Sequence, residues 1–523
     1  PSDVDDDPSN APNVGEIRFV GSGDTMTPLN ILPTPKRPVP TVTLELLGTY
    51  ADDLICLTAG RSGTLWQLTS RRQDTAAISW LRTLREIFDD SPGHKACGRR
   101  LYVELMHGLL PEDGTVAARL HHLACTEQLP TVVTNDVRFA TPANWRRYDL
   151  LTCARLNIRV SEPHAERPRN AEAYLKSEAQ LRRLLPYPDA FDRTVEIAES
   201  CRVDLVPEYI TPPAAIIPAG KTARSYLTEL CDAGLQDLYA PDQRAAAQAQ
   251  YDRELKVITD LELEEFFLVV HEVVSVARQR GIRCAGRGSA ANSIIAFLLR
   301  ITAVDPIRHN LLFERFLHGE RKGTPDIDVD FDADRRDEVI DWMERRFGIE
   351  QTAMTATLIT YKLRLALRDV AKALGWPMPK VDALSQTVPS GLANEVTEYR
   401  EPIQSVLGDA PLVDLLLERV ADLHLCPRHL GLHSGGMVLS RKPLSHFTPI
   451  QVSANGVKMV TFDKEDVEAM GLVKLDVLGL RMMACLSEGA ALVHRHEGIE
   501  IDFETLPLDD PGVYELICSG QTV

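Results

Sequence analysis

Residues 325–331 read PDIDVDF, three aspartates alternating with Ile327, Val329 and Phe331. In a β-strand successive side chains point to opposite faces, so Asp326, Asp328 and Asp330 share one face and the apolar residues take the other. Aspartate disfavours strands, and like charges on one face repel. The run therefore predicts either an exposed edge strand or a strand whose acidic face meets something cationic.

The neighbouring stretch 284–302, CAGRGSAANSIIAFLLRIT, offers one candidate setting for those charges. Gly286 and Gly288 permit a tight turn, and Ser289 is placed to cap an apolar helix that starts near Ala290. A glycine-rich turn running into a helix presents unpaired N–H groups at the positive end of the dipole, and Arg287 adds charge. The turn is a candidate triphosphate cradle, although GxxxxGK[ST] is absent and many such turns simply start helices. An anion cradle beside clustered carboxylates is what metal-assisted phosphoryl or nucleotidyl transfer needs. Magnesium prefers hard carboxylate oxygens, and two ions about 3.5–4 Å apart bind both the attacking and the leaving oxygen. A further ligand is expected from GLVKLDVLGL (471–480), where Asp476 interrupts another strand-like apolar run. Without the first strand, Asp476 would read as an ordinary residue at a turn.

Bulk properties bound the rest. The 523 residues have room for two to four domains, with 44% hydrophobic and 25% charged residues, an ordinary globular balance. No apolar run approaches the roughly 18–20 residues of a membrane span. The ten cysteines are scattered with no CxxC pair, which argues against a structural zinc site or a disulfide framework and for a reducing cytoplasm. The net charge of −18 disfavours nucleic acid on average, yet the sign reverses locally. Between Arg278 and Arg300 there are five arginines and no acid. In YKLRLALRDVAKALGW (361–376), Arg364, Arg368 and Lys372 sit four apart and form one basic stripe on a helix, with Lys362 beside them. Leu363, Ala366, Leu367, Val370 and Leu374 supply its apolar face. In isolation a solvated amphipathic helix is the favoured reading; the alternative is a helix lying along a phosphate backbone.

Along the chain, 1–45 is rich in Pro, Asp and Ser and expected to be only partly ordered. Residues 50–160 alternate the apolar runs LICLTA, LYVELM and TVVTNDV with helical patterns, as an α/β unit does. A helical region follows, broken at Pro186 and Pro188, then a linker-like VPEYITPPAAIIPAG (206–220) and long helical patterns.

Seven ordered blocks carry a family resemblance: GRGSAANS, LLFERFL, TPDIDVDFD with RRDEVIDWM, RLALRDVAKALG, PRHLGLHSGGMVLS, TFDKEDVEAMGLVKLDVLGL and LPLDDPGVYELI. Their order resembles that of bacterial C-family DNA polymerases, the α subunits of DNA polymerase III and their error-prone relatives. The resemblance runs from about residue 50 to the end, and RHLGLHSGGMVLS with the block after it is more like the error-prone subgroup. It implies an α/β multidomain fold: a partial, degenerate PHP-like domain over 46–205, and a polymerase-β-like nucleotidyltransferase palm over 206–357 and 433–480. A helical thumb would be inserted over 358–432, with the start of the fingers over 481–523.

The resemblance also implies roles. Asp326, Asp328 and Asp476 would be the catalytic residues holding two Mg²⁺ ions, with Asp330 in a supporting part. Arg287, Gly288 and Ser289 would contact nucleotide phosphates, and Arg428, His433 and Ser434 would lie near the nucleotide; His433 reads equally as a core histidine bonded to backbone. Lys362, Arg364, Arg368 and Lys372 would face primer–template DNA. The implied reaction is addition of deoxynucleotides to a primer 3′ end, as error-prone synthesis in damage tolerance. The alternatives are a replicative α subunit, or a catalytically incomplete DNA-binding fragment. The sliding clamp and a Y-family-like companion are the implied partners, with no membrane, and the location cytoplasmic.

Departures from the family pattern set further expectations. The His-x-His that opens PHP domains is not found; Glu104 in YVELMHG and Asp136 in TNDVRFA stand at metal positions, but Arg138 replaces a histidine. A structural PHP remnant without metal-dependent nuclease activity is expected. The chain opens on Pro1 rather than Met and stops before the family's remaining fingers and further DNA-binding modules, so a fragment is expected.

Overall fold

The computed structural model describes residues 41–89, 99–203, 213–317, 325, 327–408, 410–453, 455–503, 506–507 and 509–521. Residues 1–40 of the Pro/Asp-rich start, the first part of the 206–220 segment and Asp326 lie outside the described residues. Packing divides the chain into two compact units, Pro1–Tyr148 with Pro168–Cys201, and Asp149–Arg167 with Arg202–Val523.

The first unit is α/β. The three apolar runs of the sequence form β1 (Cys56–Leu57), β2 (Leu101–Leu105) and β3 (Thr131–Val133), which pair in parallel in that order. Leu101, Val103 and Leu105 of β2 are fully buried, against Leu81 and Leu84 of helix Asp74–Phe88 and Leu120 of helix Asp113–Thr126. The proline break sits where proline is tolerated. Pro188 is the first residue of helix Pro188–Ser200, where the N–H it lacks would have had no partner.

The second unit is built on a mixed sheet. Its strands are β4 (Cys284–Arg287), β5 (Asp328–Asp332), β6 (Thr352–Thr360), β7 (Pro427–Leu439), β8 (Ile450–Val452), β9 (Lys458–Val460) and β10 (Val473–Leu480), in the order β4-β5-β10-β7-β6-β9-β8. β5 and β10 are parallel, while β10–β7, β7–β6 and β5–β4 are antiparallel. Ile327, Val329 and Phe331 are completely buried, together with Leu475 and Val477 of β10. They pack against helices Ala223–Leu238, Arg244–Asp260 and Glu264–Gln279 in the main core. Burying each such side chain contributes about 1.5–3 kcal/mol, which fixes the register and turns the aspartates to the opposite face.

Between β6 and β7 the chain leaves the sheet for a helical segment whose core is separate. Helix Leu363–Ala373 buries Leu363, Ala366, Leu367 and Val370 there, the apolar face its periodicity predicts, with Leu374 half-buried behind them. Two boundaries differ from the sequence reading. Leu150 and Cys153 belong to that helical core and Val160 N–H donates to the Ala373 carbonyl at 2.8 Å, so Asp149–Arg167 packs with the second unit. Within the linker-like segment, Ala215 and Ile217 pack against the main core instead of crossing solvent.

Candidate active site

Asp476 of β10 lies directly in register with Asp328 of β5. Residues paired in this way on adjacent parallel strands, about 4.8 Å apart, project to the same side, so the two carboxylates stand side by side on the face opposite the core. β5 is not the edge of the sheet, and cations do meet the acidic face. Arg287 at the end of β4, in register with Asp328, reaches Asp330 with Nε 3.1 Å from Oδ1. Burial raises the Asp330 carboxyl above the usual range, and Arg287 opposes that shift. Lys474, two residues before Asp476 on the same face, holds Asp476 Oδ2 at 2.6 Å, and both side chains are about nine-tenths buried.

The other oxygen of Asp476, Oδ1, is buried and accepts no hydrogen bond among the described residues. A buried carboxylate oxygen without a partner costs at least about 1–3 kcal/mol, so a ligand there, such as a hard cation, fits the arrangement. Among the described residues no group of three or more His, Cys, Asp or Glu gathers in metal-holding geometry. The third carboxylate singled out by the sequence, Asp326, is outside those residues.

A feature invisible in the sequence closes the other side of Asp476. β6 and β7 pair at Met354↔Met437 and next at Ala356↔Leu432, so Thr355 alone stands against His433, Ser434, Gly435 and Gly436. The His433–Gly436 stretch is a large β-bulge. His433 Nδ1 closes it by accepting from the Gly436 and Gly435 amides at 2.6 and 3.2 Å, and Arg336 donates to the Ser434 carbonyl at 2.6 Å. Gly436 is the register partner of Asp476. A Cβ at Gly436 would fall 2.8 Å from His433 Nδ1, 3.0 Å from Thr355 Oγ1 and 3.1 Å from Asp476 Oδ1, so the strand can approach only as glycine. His433 is thus bonded to backbone and next to the carboxylates at once. Arg428 is at the far end of β7, five residues and roughly 15 Å from the bulge at strand spacing. It pairs with Asp369 at 2.8 Å instead.

The glycine turn corrects the sequence reading. Gly288 has φ +63° and opens a 3₁₀ turn, Gly288–Asn292; the helix begins only at Ile294, and its cap is Ser293, not Ser289. Its N–H groups are not available for a ligand. The fully buried carboxylate of Glu254 accepts from Ile294 N–H (3.1 Å), Ile295 N–H (3.3 Å), Ser293 Oγ (2.8 Å) and Gln250 Nε2 (2.9 Å). What remains facing the aspartates is the turn itself: a Cβ at Gly288 would lie 3.6 Å from Asp328 Oδ2.

The basic stripe is present on helix Leu363–Ala373 but partly engaged. Arg364 Nε donates to the Val388 carbonyl at 2.9 Å and Arg368 pairs with Asp382, while Lys362 and Lys372 are exposed.

In the first unit the expected metal positions are held by the protein's own donors. Glu104 accepts from Gly60 N–H at 2.7 Å and from the Thr134 hydroxyl. Asp136, at φ +42°, pairs with Arg138 at 2.7 Å. Asp113, which the sequence reading passed over, is 1% exposed and accepts from Gly108 and Leu110 N–H and from the Arg61 guanidinium.

A registered carboxylate pair on the sheet face opposite the core, with a basic turn on the adjoining strand, marks a mixed α/β protein whose donor set suits a hard cation beside an anion. Residues 225–479 match the family described as the bacterial DNA polymerase III alpha NTPase domain. Curated relatives include the error-prone DNA polymerase of Symbiobacterium thermophilum, 37% identical over 94% of this chain and 44% of the relative. The error-prone DNA polymerase of Nocardia farcinica is 38% identical over 81% of this chain and 36% of the relative. The error-prone DNA polymerase 2 of Rhizobium meliloti is 34% identical over 91% and 43%. The chain belongs to the bacterial C-family DNA polymerases, with error-prone members among its relatives. It spans less than half the length of these curated relatives.

Proposed function

We propose that this chain carries the active centre of an error-prone DNA polymerase, extending a primer on a DNA template with deoxynucleoside triphosphates. The observation that carries the reading is the registered pair Asp328 and Asp476 with one buried oxygen of Asp476 left open. In this reading Asp326, Asp328 and Asp476 hold two Mg²⁺ ions. Those ions, when bound, lower the pKa of the primer hydroxyl and stabilise charge on the departing pyrophosphate. The chain's own residues do the rest. The Arg287–Gly288–Ser289 turn receives the triphosphate, Lys474 holds Asp476 in its orientation, and Asp330 holds Arg287 beside the aspartates. The His433–Gly436 bulge packs against Asp476 and excludes water from it.

The sheet then corresponds to a palm over 206–357 and 433–480, and the helices of 358–432 to a thumb with Lys362, Arg364, Arg368 and Lys372 toward the duplex. Residues 46–205, apart from the Asp149–Arg167 stretch that packs with the second unit, correspond to a PHP remnant in which Arg138 and backbone amides take the place of a metal, and 481–523 to the start of the fingers. No described helix is long and apolar enough to cross a membrane. A cytoplasmic location, a sliding clamp and a companion polymerase are part of the same proposal.

Mg²⁺-dependent primer extension on intact and abasic templates tests the reading. Asp328→Asn should abolish extension and leave primer–template binding intact; undiminished extension by that variant overturns the assignment. Read-through of the abasic site by the parent supports the error-prone subgroup.

A further inference from the structure

We infer that Glu254, through Ser293, is the positioning residue that sets the nucleotide-phosphate turn against the catalytic aspartates; this rests on the nucleotide site proposed above. Three fixed points define the segment that carries the turn. At its neck, Gly286 N–H donates to the Ile301 carbonyl at 2.7 Å, an approach so close that a Cβ at Gly286 would fall 2.7 Å from the same oxygen. On one side, β4 pairs with β5 and brings Arg287 into register with Asp328. At its far end, the Glu254 carboxylate takes the Ser293 hydroxyl and the Ile294 and Ile295 amides. Ser293 in turn caps the helix by accepting from Ala296 N–H at 3.2 Å. Between these points only Arg287–Asn292 is left to project at Asp328, steadied by Asn292 Nδ2 on the Ser289 carbonyl at 3.0 Å.

A carboxylate is the side chain this place requires. Four donors converge on two oxygens from which water is excluded, and since burial raises the carboxyl to about 7, these bonds are met in full by the ionised form above that pH. Glu254 thereby takes up the Ser293, Ile294 and Ile295 donors that a nucleotide phosphate would otherwise compete for. Bound phosphates are confined to the Arg287–Ser289 turn, one strand from Asp328. Loosening the Glu254 end releases the segment at the point farthest from β4, so the turn loses its set while the sheet and the helical segment keep theirs.

The test compares nucleotide and DNA binding in the same chain. Affinity for a fluorescent deoxyadenosine triphosphate is measured in Ca²⁺, and affinity for a primer–template duplex separately, with thermal unfolding and amide exchange as controls. Glu254→Gln leaves an amide N–H₂ facing N–H donors, and Ser293→Ala removes one donor and the cap. Each should weaken nucleotide binding about tenfold, or roughly 1.4 kcal/mol, while DNA affinity stays within about twofold. Ile294 and Ile295 should lose exchange protection ahead of the sheet amides. Arg287→Ala reports on the site itself. If Arg287→Ala weakens nucleotide binding and both other variants bind as the parent does, the positioning role is wrong and the site stands. If nucleotide and DNA affinity fall together with stability, Glu254 is only structural and the inference is also overturned. A parent that binds no nucleotide, or an Arg287→Ala variant without effect, overturns the site and the inference together. Should Glu254→Gln fail to fold, Ser293→Ala decides alone.

Discussion

The two sheets of this chain each gather carboxylates and treat them in different ways. Around the three-stranded sheet of the first unit, Glu104 of β2, Asp113 of the helix after it and Asp136 just past β3 are all satisfied from within, by the Gly60, Gly108 and Leu110 amides, the Thr134 hydroxyl and the Arg61 and Arg138 guanidiniums. In the seven-stranded sheet, Asp476 keeps a buried oxygen without a donor among the described residues. Proteins pair buried polar groups wherever they can, so an orphan beside a second carboxylate fits a ligand site, while a fully paired carboxylate fits a structural role. The comparison teaches that carboxylate count alone does not distinguish a working site from a remnant. An open valence alone does not either, since Asp89 Oδ2 of the first unit is also buried and unpartnered among the described residues; at Asp476 it counts because Asp328 stands in register beside it.

The largest effect expected from breaking this contrast is at Gly436. Gly436→Ala would push a methyl group among His433 Nδ1, Thr355 Oγ1 and Asp476 Oδ1, and the bulge or the aspartate must move. Overpacking of this kind costs about 1–3 kcal/mol of stability. Displacing a group in the reacting centre by about 1 Å can cost on the order of 100-fold in rate. Primer extension should therefore fall far more than the melting temperature. A variant with parental extension would show that the bulge does not position Asp476.

A stability effect without a catalytic one is expected from the first unit. Asp113→Ala orphans two amides and takes from the Arg61 guanidinium one of its two carboxylates, Glu112 remaining, and should destabilise that unit by about 2–4 kcal/mol. Denaturant unfolding should show it, with primer extension per folded molecule unchanged. Loss of extension at parental stability would place chemistry in the first unit.

A smaller effect is a pH slope. Burial pushes the Glu254 carboxyl from 4.5 up to about 7, against hydrogen bonds from Gln250, Ile294, Ser293 and Ile295 that favour the charged form. The folded chain then holds a proton that the unfolded chain has already lost. The stability this contributes is full below about pH 4.5 and fades as pH rises through about 7. Melting temperature should fall with pH across that window more steeply in the parent than in Glu254→Gln; parallel curves would show that Glu254 is charged throughout.

The smallest effect concerns the basic helix. Lys362→Ala should weaken duplex binding uniformly across sequences and lower the slope of log affinity against log salt by about 1. An unchanged slope would leave the stripe as a solvated face.

Much of this was legible in the residues, for reasons of local physics. Alternation in PDIDVDF predicts a strand with one acidic face, and burial of Ile327, Val329 and Phe331 enforces it. The strand-like run around Asp476 likewise becomes β10. The question raised by the acidic face, what cation meets it, is answered by Arg287 and Lys474, and only the first lies in a stretch the sequence marks as basic. The Glu254 cap was not legible. A glutamate in an amphipathic helix reads as solvated, and its partners lie about forty residues away in sequence. The His433–Gly436 bulge was hidden because HSGG carries no periodicity, and the reason for its glycines is the closeness of Thr355 and Asp476 on neighbouring strands. Asp113 escaped notice for the same cause, since its Arg61 partner lies far back in the chain.

The measurement that tests the central claim most directly is a titration of the chain with Mn²⁺, read by the electron paramagnetic resonance of the free ion. Parent, Asp328→Asn, Asp476→Asn and Glu104→Gln are compared at equal folded concentration. The open-valence account predicts binding by the parent and by Glu104→Gln, and its loss in both aspartate variants. Binding that survives Asp328→Asn and Asp476→Asn but disappears with Glu104→Gln would contradict it, and would move the metal chemistry to the first unit.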